Sequence, residues 1–487
     1  MVYRISIKEL LNQIEYISFD GDESTEICGI TNDSRAVENG FAYVCIKGFN
    51  ADGHTFAPAA EKNGAMLIVA QDEYKSETAA VLRVKDSRTA MAQIASALYG
   101  HPSKKLKIIG VTGTNGKTTT THIIKSVLDL AGKKTGLIGT NHTLIGNNEI
   151  EAKRTTPESC ELHKWFAMML ESGAQYCVME VSSHSVELQR VYGITFEVGV
   201  FTNLTHDHLD MHGNMENYMH VKTRMLDNCK TAIINIDDEY GRKMRKITKC
   251  KNVLTFSIDE PADYKAENVN LKDHGIIYDL KNAKISEPTK IKAVLPGRFS
   301  VYNTLGAAAA CFELGFDEES IQRGIIITRG AKGRAELVQI NAPFKVMIDY
   351  AHTPDGLYNI LTTVREFTKG KVITVFGAAG DRDRAKRPEM GELAGKLSDY
   401  CVITSDNPAS EQPEDIIKAV EEGVKKTECP YICIEDRKEA ILHALETAEE
   451  GDLVMLAGKG HETYQIVKGE YIPFSEEQIV KDYFNKR

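Results

Sequence analysis

The sequence predicts an α/β protein of three domains, and three observations carry that prediction. Short β-branched runs alternate with helix-like patterns along the chain, the order that builds doubly wound, mainly parallel sheets. At 487 residues the chain exceeds what one hydrophobic core holds, which suggests roughly three domains. A strand-like run, Lys107-Ile108-Ile109-Gly110-Val111-Thr112, ends in the Gly-rich turn Gly113-Thr114-Asn115-Gly116, and a helical pattern with Ile123, Ile124, Val127, Leu128 and Ala131 on one face follows it. That is the setting a phosphate-binding loop requires.

Composition narrows the class. With 42% hydrophobic and 26% charged residues the chain reads as ordinary globular protein, and no apolar run approaches the length of a membrane span. The opening stretch lacks the apolar core and small-residue cleavage site of a secretion signal, so a cytoplasmic protein is expected, and a monomer. A net charge of −10 argues against nucleic acid as a partner, although phosphate substrates would still need local basic pockets. Ten cysteines are spread from Cys28 to Cys433 without a Cys-x-x-Cys pair. Cys429 and Cys433 are expected to be small apolar side chains, and neither a disulfide framework nor a zinc knuckle is indicated.

The first domain, residues 1–101, carries strand-like runs at 41–46, 65–70 and 79–84 and closes at Tyr99-Gly100-His101-Pro102-Ser103, where Gly and Pro mark a linker. Two polar loops stand out in it, Asn32-Asp33-Ser34-Arg35 and the stretch from Lys47 to His54. Alone, they suit plain turns as well as a ligand.

In the second domain the phosphate loop comes first. Its glycines let backbone N–H groups face phosphate oxygens, the helix N-terminus adds partial positive charge, Lys117 reaches the outer phosphates, and the Thr118 hydroxyl can hold Mg²⁺. The strict G-x-x-x-x-G-K-[ST] pattern is not met, because Val111 stands where its first glycine belongs. Three polar clusters follow where strands should end, and ligands bind at such ends. Thr155 and Thr156 offer hydroxyls suited to a phosphate or carboxylate. Glu180 closes an apolar strand as a lone carboxylate, for which Mg²⁺ is the natural partner. The stretch from His206 to His212 packs three His and two Asp into seven residues, a spacing that by itself invites zinc as much as any other metal.

The run Gly113-Thr114-Asn115-Gly116-Lys117-Thr118-Thr119 resembles the phosphate loop of the Mur ligases and folylpolyglutamate synthetases, ATP-dependent enzymes that form amides. Further motifs are similar to those of the Mur ligases of MurE type, in order and across the chain. Asp33-Ser34-Arg35 and Gly48-x-x-x-Asp52-Gly53 look like uridine-nucleotide loops, which implies substrate contact at Ser34 and, beyond it, at Thr155, Thr156, Ser182 and Arg190. Asn203-x-x-x-Asp207-His208-x-Asp210 resembles the metal loop, which implies Mg²⁺ held by Thr118, Glu180 and His208, together with a carbamylated Lys222. Asn303, in Leu295-Pro296-Gly297-Arg298-Phe299-Ser300-Val301-Tyr302-Asn303, falls at the adenine-side motif. Gly330 to Glu336 looks like the segment joining the second domain, 102–330, to the third, 331–487. There Arg334 is an expected ATP contact, and Ala335 departs from the apolar residue usual in the family.

The third domain alternates again, with runs at 345–349, 371–376, 400–404, 431–434 and 453–456. Four polar loops fall at strand ends, beginning at Asp349, Gly377, Asp406 and Gly458, and together they should form one site on a Rossmann-like sheet. The resemblance places the ATP ribose at Asp349, the α-carboxylate of an incoming amino acid at Arg382, and its pocket at Asp406, Asn407, Ala409, Gly458 and Glu462. It implies transfer of phosphate from ATP to the D-Glu side chain of UDP-MurNAc-L-Ala-D-Glu, then displacement by the amine of a diamino acid, with Lys117, His208 and Lys222 at the reacting centre. Diaminopimelate-adding members carry Asp-Asn-Pro-Arg where this chain has Asp406-Asn407-Pro408-Ala409, so L-lysine is the expected substrate and meso-diaminopimelate the alternative. A second departure puts Leu188 where the family commonly has Gln. A folate-type ligase and a P-loop regulatory ATPase are the remaining alternatives; the first lacks the uridine loops and the second leaves the Asp-His-x-Asp cluster unexplained.

Overall fold

The computed structural model describes residues 3–48, 51–272, 275–328 and 330–485. Phe49 and Asn50 of the second polar loop, and Met1 and Val2 of the opening stretch, lie outside them. The architecture is α/β throughout, with three main sheets whose strands come from residues 18–83, 107–293 and 336–457. The strand-like runs of the first and third domains form strands within two residues at each end, while Ser18–Asp20 and Gly29–Thr31 are strands that no such run marks.

The first sheet has five strands in the order Ser18–Asp20, Ala80–Arg83, Ala65–Ala70, Phe41–Val44, Gly29–Thr31. All its pairings are parallel except the first. Helix Ser87–Leu98 covers one face, capped by Asp86, whose carboxylate accepts from the Thr89 N–H at 2.7 Å. Cys160 and Ala167 of the next domain share that core, so the first two domains join through apolar contact.

The central sheet has eleven strands, and the seven from Thr135–Ile138 to Tyr264–Lys272 run parallel. Antiparallel hairpins flank them, with strands His142–Ile145 and Asn148–Glu151 on one side and Gly275–Asn282 and Thr289–Ala293 on the other. Strand Lys107–Thr112 lies between Tyr176–Glu180 and Phe196–Phe201. The chain leaves it toward one side of the sheet and returns to its other side, so a topological switch point falls at its carboxyl end, where ligands bind in doubly wound folds. Helix Lys117–Leu130 packs there with Ile123, Ile124, Val127 and Leu128 fully buried. Ala131, expected on the same face, is instead the half-exposed residue that caps the helix. Helix Arg298–Glu313 is buried almost all round, as its alanines suggest.

The third sheet runs Glu336–Leu337, Lys345–Asp349, Leu453–Ala457, Val372–Phe376, Tyr400–Ile403, Tyr431–Cys433. The loops after Lys345–Asp349, Leu453–Ala457, Val372–Phe376 and Tyr400–Ile403 leave four adjacent strand ends on one edge. The cysteine expectation needs correcting here. Cys433 is exposed, and the neighbour of Cys429 is Cys401 on the adjoining strand. Spacing along the chain could not reveal that pairing, which the sheet creates.

Candidate active site

Three strand ends of the central sheet build one side of the site. The phosphate loop is shaped by the loop after Phe196–Phe201: Asn203 O accepts from Thr114 N at 2.9 Å, Asn203 Oδ1 accepts from Asn115 N at 2.9 Å, and Thr202 Oγ1 donates to Asn115 O at 2.6 Å. Gly116 has φ +85 and lies against the Asn303 side chain, so a Cβ there would be both strained and blocked. Thr118 and Thr119 are buried in the first helical turn. Lys117 Nζ donates to Gly113 O at 3.0 Å and Thr114 O at 2.8 Å, and burial lowers its pKa, against the pull of Glu180.

Lys222 arrives at the same carbonyl from helix Met215–Asp227. Its Nζ donates to Gly113 O at 2.9 Å and sits 4.8 Å above the Tyr218 ring. Burial, reinforced by the neighbouring Lys117, holds this amine well below the usual lysine range. Glu180 is completely buried at the end of its strand, and its carboxylate accepts from Thr140 N at 2.8 Å and Thr140 Oγ1 at 2.9 Å. His208 begins a short helix at φ +54, with its ring 4.7 Å from that of His184. Burial lowers its pKa to about 3, opposed by Asp207.

The substrate candidates gather beside Glu180. Thr156 Oγ1 donates to Glu180 O at 2.8 Å and lies 3.4 Å from Ser182 Oγ, while the Thr155 hydroxyl is 3.1 Å from that of Thr140. Arg190 pairs with Glu158 at 2.9 Å and donates to Thr156 O at 3.1 Å. Ser34 stands apart, half-buried on a turn of the first domain. Its neighbour Asp33 is held low by Arg35, with a weaker pull from Lys153, which precedes the Arg154-Thr155-Thr156 segment.

The third domain closes over the phosphate loop. Arg334 stacks 4.6 Å from the Tyr350 ring and brings Nη2 to 3.4 Å from Thr118 Oγ1, and Asp349 Oδ2 accepts from Ala335 N at 2.7 Å. Behind them, Lys459 is wholly buried, donating to Asn407 Oδ1 and Glu462 Oε2 at 2.8 Å each, with Asp406 Oδ1 at 3.5 Å. Gly458 has φ +117 and abuts the Asp406 carboxylate. Ala409 has φ +53 and is tied through its backbone to Ile466 and Lys468 of the hairpin that follows. Arg382 is exposed, and its neighbour Asp383 lies 3.5 Å from His206 Nε2, so the arginine loop faces the histidines.

Three contributors escaped the sequence analysis. Thr140 holds both oxygens of Glu180. Lys459 organises Asp406, Asn407 and Glu462. Asp355 Oδ2 accepts from Asn115 Nδ2 at 2.5 Å, joining the first turn of helix Pro354–Phe367 to the phosphate loop. Only Lys459 had a visible signal, since it lies inside the Gly458-Lys459-Gly460-His461-Glu462 loop.

Comparison with known proteins agrees with this layout. Residues 26–99 match the Mur ligase family, catalytic domain; 111–311 match the Mur ligase middle domain; and 333–460 match the Mur ligase, glutamate ligase domain. A UDP-N-acetylmuramoyl-L-alanyl-D-glutamate–2,6-diaminopimelate ligase 1 of Clostridium acetobutylicum is 46% identical, covering 99% of this chain and 100% of its own. The corresponding ligase of Clostridium perfringens is 47% identical over 98% and 99%. A solved structure of a ligase with that same name superposes at TM-score 0.69 and 29% identity, covering 100% of this chain and 99% of its own. With such relatives over its whole length, the chain belongs to the Mur ligase family, in its MurE type, and is an ATP-dependent ligase of peptidoglycan synthesis.

Proposed function

We propose that this ligase joins 2,6-diaminopimelate to the D-Glu of UDP-MurNAc-L-Ala-D-Glu through an acyl phosphate. The observation that carries the choice of amino acid is the name borne by relatives 46% and 47% identical across the whole chain. It weighs against the expectation of L-lysine drawn from Ala409. One missing guanidinium does not decide the charge of a pocket, because other cations reach the same loop. Arg384 pairs with Glu411 at 3.0 Å, two residues beyond Ala409, and its side chain is 75% exposed. A second carboxylate on the substrate would find compensation there. Incubating enzyme, ATP and UDP-MurNAc-L-Ala-D-Glu with each diamino acid should give the higher kcat/KM with meso-diaminopimelate. A preference for L-lysine would overturn the choice of amino acid and leave the ligase intact.

The donor types suit a hard cation, since Thr118 and Glu180 offer oxygens and both Glu180 and His208 lie near enough to Lys117 to interact with its charge. Mg²⁺ held by Thr118, Glu180, His208 and a carbamylated Lys222 would supply positive charge to phosphate oxygens. The chain's own groups do the rest. Lys117 and the N–H groups of residues 113–119 bind and orient the nucleotide phosphates, with Arg334 beside Thr118, Asn303 on the adenine side and Asp349 toward the ribose. Thr155, Thr156, Ser182 and Arg190, with Ser34, seat the uridine substrate. Arg382, Asp406, Asn407, Gly458 and Glu462 receive the amino acid. Closure of the third domain keeps water from the acyl phosphate. Phosphoryl transfer from ATP followed by acyl transfer to an amine belongs where ATP and UDP-sugars are found, which is the basis for a cytoplasmic assignment; among the described residues no helix is long and apolar enough to cross a membrane.

Closure makes a testable demand on Asp355. Asp355→Ala is expected to raise KM for ATP about tenfold through loss of a charged hydrogen bond to the phosphate loop, while binding of UDP-MurNAc-L-Ala-D-Glu is unchanged. Equal weakening of both substrates in steady-state kinetics would mark a purely structural residue.

A further inference from the structure

Most of the ten cysteines are buried among apolar neighbours, but two form a pair outside the ligase site. Cys401, fully buried on strand Tyr400–Ile403, and Cys429, half-buried in the turn before strand Tyr431–Cys433, hold their sulfurs 3.8 Å apart. The Cys401 N–H also donates to Pro430 O at 3.0 Å, so the backbone carrying Cys429 is already tied to this strand. Cys429 lines an open groove of about 520 Å³ between Lys396, Asp399 and Lys426. Cys429 therefore borders solvent, and the buried Cys401 lies behind it.

We propose that Cys429 and Cys401 form a dithiol site for hydroperoxides, in which Cys429 reacts first and Cys401 resolves it to a disulfide. In the first step the Cys429 thiolate attacks the terminal oxygen of a hydroperoxide. An S–O bond forms, the O–O bond breaks, and the leaving alkoxide or hydroxide takes up a proton. Cys429 is now a sulfenic acid. In the second step the Cys401 sulfur, having given up its proton, attacks the Cys429 sulfur. The S–S bond forms, the S–O bond breaks, and the hydroxyl departs as water. Two thiols lose two electrons and the hydroperoxide gains them. The sulfurs must approach from 3.8 Å to about 2.05 Å, and Cys429 can supply that movement because it lies in a turn outside regular structure.

Electrostatics support the order of reaction. Contact with Cys401 lowers the Cys429 pKa, against burial and the nearby Asp399, while burial raises that of the more exposed Cys433. The thiolate is the reactive form, so exposure and reactivity part company here. The pair sits at the amino ends of its strands, opposite the loops that carry Asp406 and Arg382. Oxidation should therefore leave ligase activity nearly unchanged.

The test treats the full-length enzyme with hydrogen peroxide, blocks remaining thiols by alkylation, and maps peptides by mass spectrometry. Cys429 should oxidise about tenfold faster than Cys433, and the product should be a peptide pair joined through Cys401 and Cys429. In C401S the oxidation should stop at a Cys429 sulfenic acid that dimedone captures. Equal or faster oxidation of Cys433 in the wild-type enzyme, a comparison that needs no variant to fold, would overturn the proposal. So would a wild-type product lacking the 401–429 link.

Discussion

Replacing Lys117 with alanine is expected to abolish acyl phosphate formation, a loss of about 10³-fold or more, roughly 4 kcal/mol of transition-state stabilisation. The size follows from where the amine sits. Lys117 lies along the phosphate loop, part-buried, with its Nζ held by Gly113 O and Thr114 O, so its charge is screened less than at an open surface. Burial lowers its pKa; phosphates arriving beside it would restore the preference for the charged form. Binding of UDP-MurNAc-L-Ala-D-Glu should survive, because Ser34 and its loop belong to the first domain. ADP release in the presence of the uridine substrate, with substrate binding measured by calorimetry, checks both halves. Near-normal ligation by the variant would sink the assignment of Lys117.

What could be read from the sequence, and what could not, follows the range of the interactions. The phosphate loop was visible because Gly, Lys and Thr encode a local turn and a helix start within a few residues. The four loops of the last domain were visible because strand ends can be read from pattern, and the sheet order then sets them side by side. Asp355 was not visible. Its partner Asn115 lies 240 residues away, and Pro354-Asp355 reads alone as an ordinary helix start. Thr140 was hidden for the same reason, as it meets Glu180 only through the parallel pairing of Thr135–Ile138 with Tyr176–Glu180. Cys401 and Cys429 likewise become neighbours only through the sheet.

The diamino acid poses the opposite problem, because a single residue carries less information than its chemistry suggests. Ala409 does lack a charge, but its left-handed backbone and the ties of its backbone to Ile466 and Lys468 put it in a crowded crossing of loops. Gly380 N donates to Asn407 O at 2.8 Å, and Arg384 and Arg387 both pair with Glu411. Charge at such a crossing is a property of several segments, so the identity of one position predicts it poorly.

Lys222→Ala should lose activity by about 10²-fold or more and regain part of it when formate or acetate is added. The expectation rests on a conflict in the amine's surroundings. Lys222 is almost completely buried, and it shares the carbonyl of Gly113 with Lys117. Two cations on one oxygen repel each other, and burial penalises each. The neutral form of Lys222 relieves that conflict, and a neutral amine is the nucleophile that carbon dioxide requires. Its nitrogen would bond to the carbon while a proton leaves to solvent, turning a disfavoured cation into an anion. That anion would then face Lys117 as an opposite charge. Removing the side chain leaves an anion-sized space, which a short carboxylate can enter. Carbon-13 NMR of enzyme equilibrated with labelled bicarbonate should show a carbamate signal in wild type and none in the alanine variant. A bare amine under those conditions, with no rescue by either carboxylate, would refute the modification while leaving Glu180 and His208 as metal candidates.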